Sequence, residues 1–109
     1  MRKNIEITKG IKKINDLLVL SGRDLGDTQR KKFSIDTLDI DQHQYIIIIP
    51  KNIVSINPSF FLGAFGKSVR YFKTKEKFLE KYEFDCNENA FISITDGIND
   101  ALNNIDVMR

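Results

Sequence analysis

Tyr45-Ile46-Ile47-Ile48-Ile49-Pro50 and, a few residues on, Ile53-Val54-Ser55-Ile56-Asn57-Pro58-Ser59-Phe60-Phe61-Leu62-Gly63-Ala64-Phe65-Gly66 decide the fold class of this chain. The run of isoleucines from Ile46 to Ile49, stopped by Pro50, reads as a strand buried on both faces, the pattern of a covered parallel sheet. Asn57 followed by Pro58 then marks a helix start. The Asn side chain accepts from an early backbone N–H, and Pro is preset for the first helical position. Ser59 is thereby placed at the positive end of a helix dipole, just past a central strand.

The helix that begins at Pro58 runs to about Phe72. On a wheel of about 100° per residue, Phe61, Leu62, Phe65, Val69 and Phe72 share the core side. Ser59, Gly63, Gly66 and Arg70 form a lateral stripe, and Phe60, Lys67 and Tyr71 a third face opposite the core. Glycine inside a helix costs roughly 1 kcal/mol relative to alanine. Two on one line predict close approach of another backbone, from a neighbouring element or a partner.

Upstream, Ile5-Glu6-Ile7-Thr8 alternates as a first strand closed by Gly10, and Leu17-Leu18-Val19-Leu20 reads as a second, bounded by Ser21-Gly22. Gly22 to Asp27 has loop chemistry, with Asp27 or Thr28 as the expected helix cap. Residues 28–39 read as helix, although Phe33-Ser34-Ile35 alternates like a strand. Downstream, Thr74 caps a short segment from Lys75 to Lys81, and Tyr82 to Cys86 alternates as a half-buried strand. Phe91, Ile94, Ile98, Leu102 and Ile105 then recur at helical spacing. The alternative is a terminal strand from Phe91 to Thr95 with Asp96 capping a shorter helix, because Gly97 weakens a continuous one. The expected order is ββαβα(α)βα: an α/β fold whose mostly parallel sheet of about four strands carries three to four helices.

A length of 109 residues suits one domain with one core, 1–109, and is too short for two. No apolar run approaches the ~20 residues of a membrane-spanning helix, and the N-terminus enters its alternating pattern without a leader-like apolar region. The single cysteine, Cys86, excludes an internal disulfide and a cysteine zinc cluster. A cytoplasmic protein is the simplest reading. The net charge of +2 is too small to argue for nucleic acid, but residues 51–81 carry seven Lys/Arg against two Asp/Glu, whereas residues 82–109 carry one against six. Such asymmetry marks either a basic surface for an acidic partner or two solvated faces that complement each other.

The chain resembles the STAS-like domain family of unknown function, related in layout to the STAS domain of sulfate transporters and anti-sigma-factor antagonists. Gly22-Arg23-Asp24-Leu25-Gly26, Ser59-Phe60 and Phe65-Gly66-Lys67-Ser68-Val69-Arg70 carry the resemblance, which covers roughly residues 17–105. STAS antagonists place Asp-Ser-Ser-Gly where this chain has Asn57, Pro58, Ser59 and Phe60. Ser59 matches the phosphorylated serine, while the acidic first residue and the glycine have no match. The resemblance implies a histidine-kinase-like ATPase as partner.

Ser59 is the lead residue, either as a phospho-acceptor or as a first-turn serine that only makes local hydrogen bonds. Asn57, Ser59, Phe60, Gly63, Gly66, Lys67 and Arg70 outline the expected partner surface. Phe60 and Tyr71 either anchor a partner or lie under another element; Arg70 is a surface charge or a pairing group for carboxylate or phosphate. His43, alone in a polar loop, suggests neither metal nor catalysis, and Cys86 reads as a small core residue. Asp36, Asp39 and Asp41 read as solvated loop charge. No phosphate-cradling loop follows Gly22-x-x-x-Gly26. The expectation is a non-enzymatic interaction domain without cofactor or metal, switched at Ser59. The alternatives are an anion or nucleotide sensor at the same helix N-terminus, and a homodimer joined through the glycine stripe.

Overall fold

In the computed structural model, which describes residues 2–103, the strands are β1 (Arg2–Glu6), β2 (Val19–Leu20), β3 (Gln44–Ile48), β4 (Ser55–Ile56) and β5 (Tyr82–Asp85). The helices are α1 (Arg23–Lys32), α2 (Ile35–Ile40), α3 (Pro58–Phe72), α4 (Lys75–Lys81) and α5 (Glu88–Asn103), with a single 3-10 turn at Ile14–Asp16. This is an α/β protein in which every strand pairing among the described residues is parallel. The strands form two sheets, not the single four-stranded one expected. One has the order β1-β3-β5 and the other pairs β2 with β4, so the chain alternates between them. No helix among the described residues is long and apolar enough to cross a membrane.

β3 is the central strand of the larger sheet, with Ile47 opposite Ile5 on one side and Phe84 on the other. Its burial is less symmetric than the isoleucine run suggested. Tyr45, Ile47 and Ile49 are buried, whereas Ile46 and Ile48, on the alternate face, are half-buried. The buried face packs on a cluster of aromatic rings. Phe65 stands 5.8 Å from Phe78 and 5.5 Å from Tyr82 by ring centroids, edge-on or tilted as aromatic quadrupoles prefer.

Several elements depart from the expected boundaries. β1 begins earlier than Ile5 and ends at Glu6, though Ile7 and Thr8 remain buried. α1 starts at Arg23, not after Asp27, because Gly22 takes φ 103° and serves as the cap position. Residues 28–39 are not one helix: Ser34 adopts a left-handed conformation (φ 54°) between α1 and α2, a position where a non-glycine backbone breaks a helix. The two-residue β4 lies in a stretch read only as the approach to α3. α5 is continuous through Gly97, so the terminal-strand alternative does not form. A Cβ at Gly97 would meet the Phe61 ring at 2.6 Å, which is why that position is small. Ile94 and Ile98 are buried on its inner side, Phe91 is exposed, and Ile105 lies outside the described residues.

Candidate functional site

β2 leads into α1 and β4 leads into α3, and the two helices run side by side in the same direction. Near their starts the Gly22 N–H donates to Ser59 Oγ at 3.1 Å. Further along, Arg30 Nη1 donates to the Ala64 carbonyl and to Ser68 Oγ, both at 2.9 Å. Their contact is made by a reciprocal pair of glycines. A Cβ on Gly26 would collide with the Phe60 carbonyl and approach Ala64 N to 2.9 Å, and a Cβ on Gly63 would collide with the Arg23 carbonyl and reach Asp27 N at 3.0 Å. The close backbone approach expected of the glycine stripe therefore exists, but it is made within the molecule. Gly63 is half-buried and lines the outer groove between the two helices, and Gly66 is buried.

Around Ser59 the local chemistry follows the sequence. The Asn57 side chain accepts from the Ser59 N–H at 3.0 Å and Pro58 occupies the first turn, so the helix starts where its cap dictates. Ser59 Oγ donates to Asn57 Oδ1 at 2.7 Å while accepting from Gly22. One hydroxyl thus ties the cap of α3 to the cap of α1. Asn57 is exposed and Ser59 half-buried.

The other expected surface residues divide. Lys67 is exposed and Arg70 half-buried, and with Arg23, Asp24 and Asp27 they line an outer depression of about 260 Å³ between α1 and α3. Tyr71 is exposed. Phe60 is a correction: it is 2% exposed and belongs to the core. The wheel assumed one buried side, whereas α3 is covered on several sides by the larger sheet, α1 and α5, and buries Phe60 along with Phe61 and Phe65.

A second polar constellation went unread in the sequence. Asp39 is buried, against its reading as solvated charge, and its carboxylate accepts from Arg30 Nη2 at 3.1 Å, Ser68 Oγ at 2.8 Å and the Tyr82 hydroxyl at 2.6 Å. Asp36 completes the cage from the surface, bonded to Arg30 Nε at 2.9 Å, and that bond holds its carboxyl below the usual range. Burial, then the Asp39 carboxylate, push the Tyr82 phenol far up. This network joins α1, α2, α3 and β5. Asp39, Ser68 and Tyr82 are buried, while Arg30 and Asp36 line a depression of about 280 Å³ together with Asp27, Lys31 and Lys67.

A third cluster sits at the start of β3. Lys81 Nζ donates to Asp41 Oδ1 at 2.7 Å and to its carbonyl at 2.9 Å, and the Tyr45 hydroxyl also donates to Asp41. Burial raises the Asp41 carboxyl, but the bonds from Lys81, Tyr45 and the His43 N–H outweigh it and bring it down to about 2. A carboxyl depressed on folding contributes stability that is present above its unfolded value and lost as pH falls through the folded one. Stability is therefore expected to decline between about pH 4 and pH 2, and Asp41→Asn should flatten that decline in urea titrations. Burial and the same aspartate raise the Tyr45 phenol to about 12, so its contribution is lost at alkaline pH.

Cys86 is partly buried, and burial raises its thiol. Among the described residues no group of three or more His, Cys, Asp or Glu could hold a metal ion. No family model, curated protein or solved structure matches this chain.

Proposed function

We propose that this chain is a STAS-like, non-enzymatic regulatory domain that works by contact with a protein partner and is switched at Ser59, the partner being a histidine-kinase-like ATPase. The observation that supports this reading is the double engagement of the Ser59 hydroxyl, which accepts from Gly22 and donates to Asn57. Transfer of a phosphoryl group to Oγ removes the proton that Asn57 Oδ1 accepts and brings about −1.5 to −2 charges between two helix starts. The link between the two caps is rewritten, and the core beneath is untouched. The docking surface comprises Asn57, Ser59, Lys67 and Arg70, joined by Arg23 from α1. Gly63, Gly66 and Phe60 shape it from inside, so Phe60→Ala reports on folding, not on docking.

Affinity purification from the native cells, with mass spectrometry of bait and prey, tests the switch. The expected result is a stoichiometric ATPase, Ser59 phosphate on a fraction of the bait, and loss of the partner on Arg70→Glu with an unchanged circular dichroism spectrum. Unmodified bait without a stoichiometric partner sinks the proposal. Two variants sharpen it. Ser59→Ala removes the acceptor of the Gly22 N–H and should lower stability by about 1 kcal/mol while keeping the partner. Ser59→Asp should fold and release it.

The convergence of two helix starts on one hydroxyl favours a second reading, an anion or nucleotide sensor at the same place. A ligand at one hundred times its Kd adds about 2.7 kcal/mol to stability, so a thermal-shift series with inorganic phosphate and nucleotides separates the two readings.

A further inference from the structure

From Lys67 to Lys77, across the end of α3 and the start of α4, the chain carries Lys67, Arg70, Lys73, Lys75 and Lys77 against a single acid, Glu76, with Glu80 following in α4. None of these cations takes part in an ion pair among the described residues, where pairing is confined to Arg2, Arg30, Lys31, Lys51 and Lys81. Among the described residues the acidic later part of the chain does not pair with them: there, Lys51 with Asp85 is the one ion pair between residues 51–81 and 82–103. Arg70 and Lys73 suit the negative end of the α3 dipole. Lys75 and Lys77 do not suit their own helix, because they stand in the first turn of α4, where cations oppose the dipole. A local rule broken twice without an internal partner is the pattern of a surface kept for binding.

The same corner exposes an aromatic ring. Tyr71 is 55% exposed, and its ring is held edge-on against Phe72 at 5.0 Å between centroids. Arg70, Tyr71, Phe72, Lys73 and Lys77 together line an open depression of about 600 Å³. A fixed aromatic ringed by unpaired cations has the make-up of an interface hot spot for anionic groups.

We propose that this α3–α4 corner docks an acidic segment of a partner protein, with carboxylates on Arg70, Lys73 and Lys77 around Tyr71. Charge complementarity selects the class. The band is short and offers one aromatic, whereas a nucleic acid strand needs an extended basic track with successive stacking platforms. The inference shares with the proposed function a protein partner and one residue, Arg70, and it does not involve Ser59.

The test is fluorescence anisotropy of a labelled oligoglutamate of about a dozen residues against the full chain. Binding is expected at about 0.05 M salt and loss at about 0.5 M, where screening falls to a few ångström. Joint reversal of Arg70, Lys73 and Lys77 to glutamate should weaken it at least about tenfold, and Tyr71→Ala about threefold, with unchanged circular dichroism. Reversal of Lys12 and Lys13 in the loop between β1 and β2, or Ser59→Asp, should change it less than about twofold. Absence of binding at low salt, equal losses from the Lys12 and Lys13 reversal, tighter binding of oligothymidylate, or self-association that the reversal dissolves would each overturn the assignment. The Ser59 reading fails separately, through unmodified bait.

Discussion

Asp39→Ala is expected to remove about 3–5 kcal/mol of stability, the largest loss from any single polar substitution here. The carboxylate holds Arg30, Ser68 and the Tyr82 hydroxyl at once, and all of these are buried. Deleting it strands a guanidinium that is 4% exposed, with Asp36 as its one remaining carboxylate. Native domains hold only about 5–15 kcal/mol in total, so the variant stands near the edge of folding. At about 4–8 °C per kcal/mol for a domain of this size, its melting temperature should fall by about 12–40 °C. Asp36→Ala is the control. Its side chain is 76% exposed, and losing that side of the cage should cost about 1 kcal/mol or less. Thermal unfolding of both variants decides the matter, and an Asp39→Ala protein that melts within about 3 °C of the parent would show that the network is structural ornament. Replacing Arg30 and Asp39 together by Met and Leu should recover much of the loss, because it is the uncompensated charge that destabilises, more than the missing pair.

Gly63→Ala should be destabilising by about 2–3 kcal/mol, opposite in sign to what helix propensity alone expects. In an isolated helix the change is worth about 1 kcal/mol of stabilisation. Here the added methyl meets the Arg23 carbonyl and Asp27 N of α1, both backbone atoms that move only if the helix moves. Gly26→Ala meets the Phe60 carbonyl and Ala64 N in the same way, from the other side. The double variant should lose less than the sum of the two, since one separation of the helices relieves both collisions. Chemical denaturation of the single and double variants measures this. A neutral or stabilised Gly63→Ala would mean that α1 and α3 pack more loosely than described, and the shared Ser59 bridge between their caps would then be in doubt as well.

What the sequence determined on its own is whatever local chemistry closes within a few residues. Asn57-Pro58 starts α3 because the cap accepts from Ser59 N two residues on, and Thr74 starts α4 by accepting from Lys77 N. The isoleucine run and the Tyr82–Asp85 alternation specify strands through side-chain period, and parallel pairing follows from the helices between them. The wheel correctly buried Phe61, Phe65 and Val69. Its error at Phe60 came from the next level. Which further side of a helix is covered depends on an element distant in sequence, here α1, whose Gly22 and Arg30 reach residues 37 and 34 positions away. The same holds for Asp39, a loop-like carboxylate in a polar stretch until Tyr82, 43 positions on, closes over it. It holds too for Lys75 and Lys77 of α4, whose lack of ion-pair partners among the described residues appears only when every ion pair is placed. Periodicity and capping are short-range and legible; which faces meet, and which charges are left over, are settled by packing between segments that no local pattern connects.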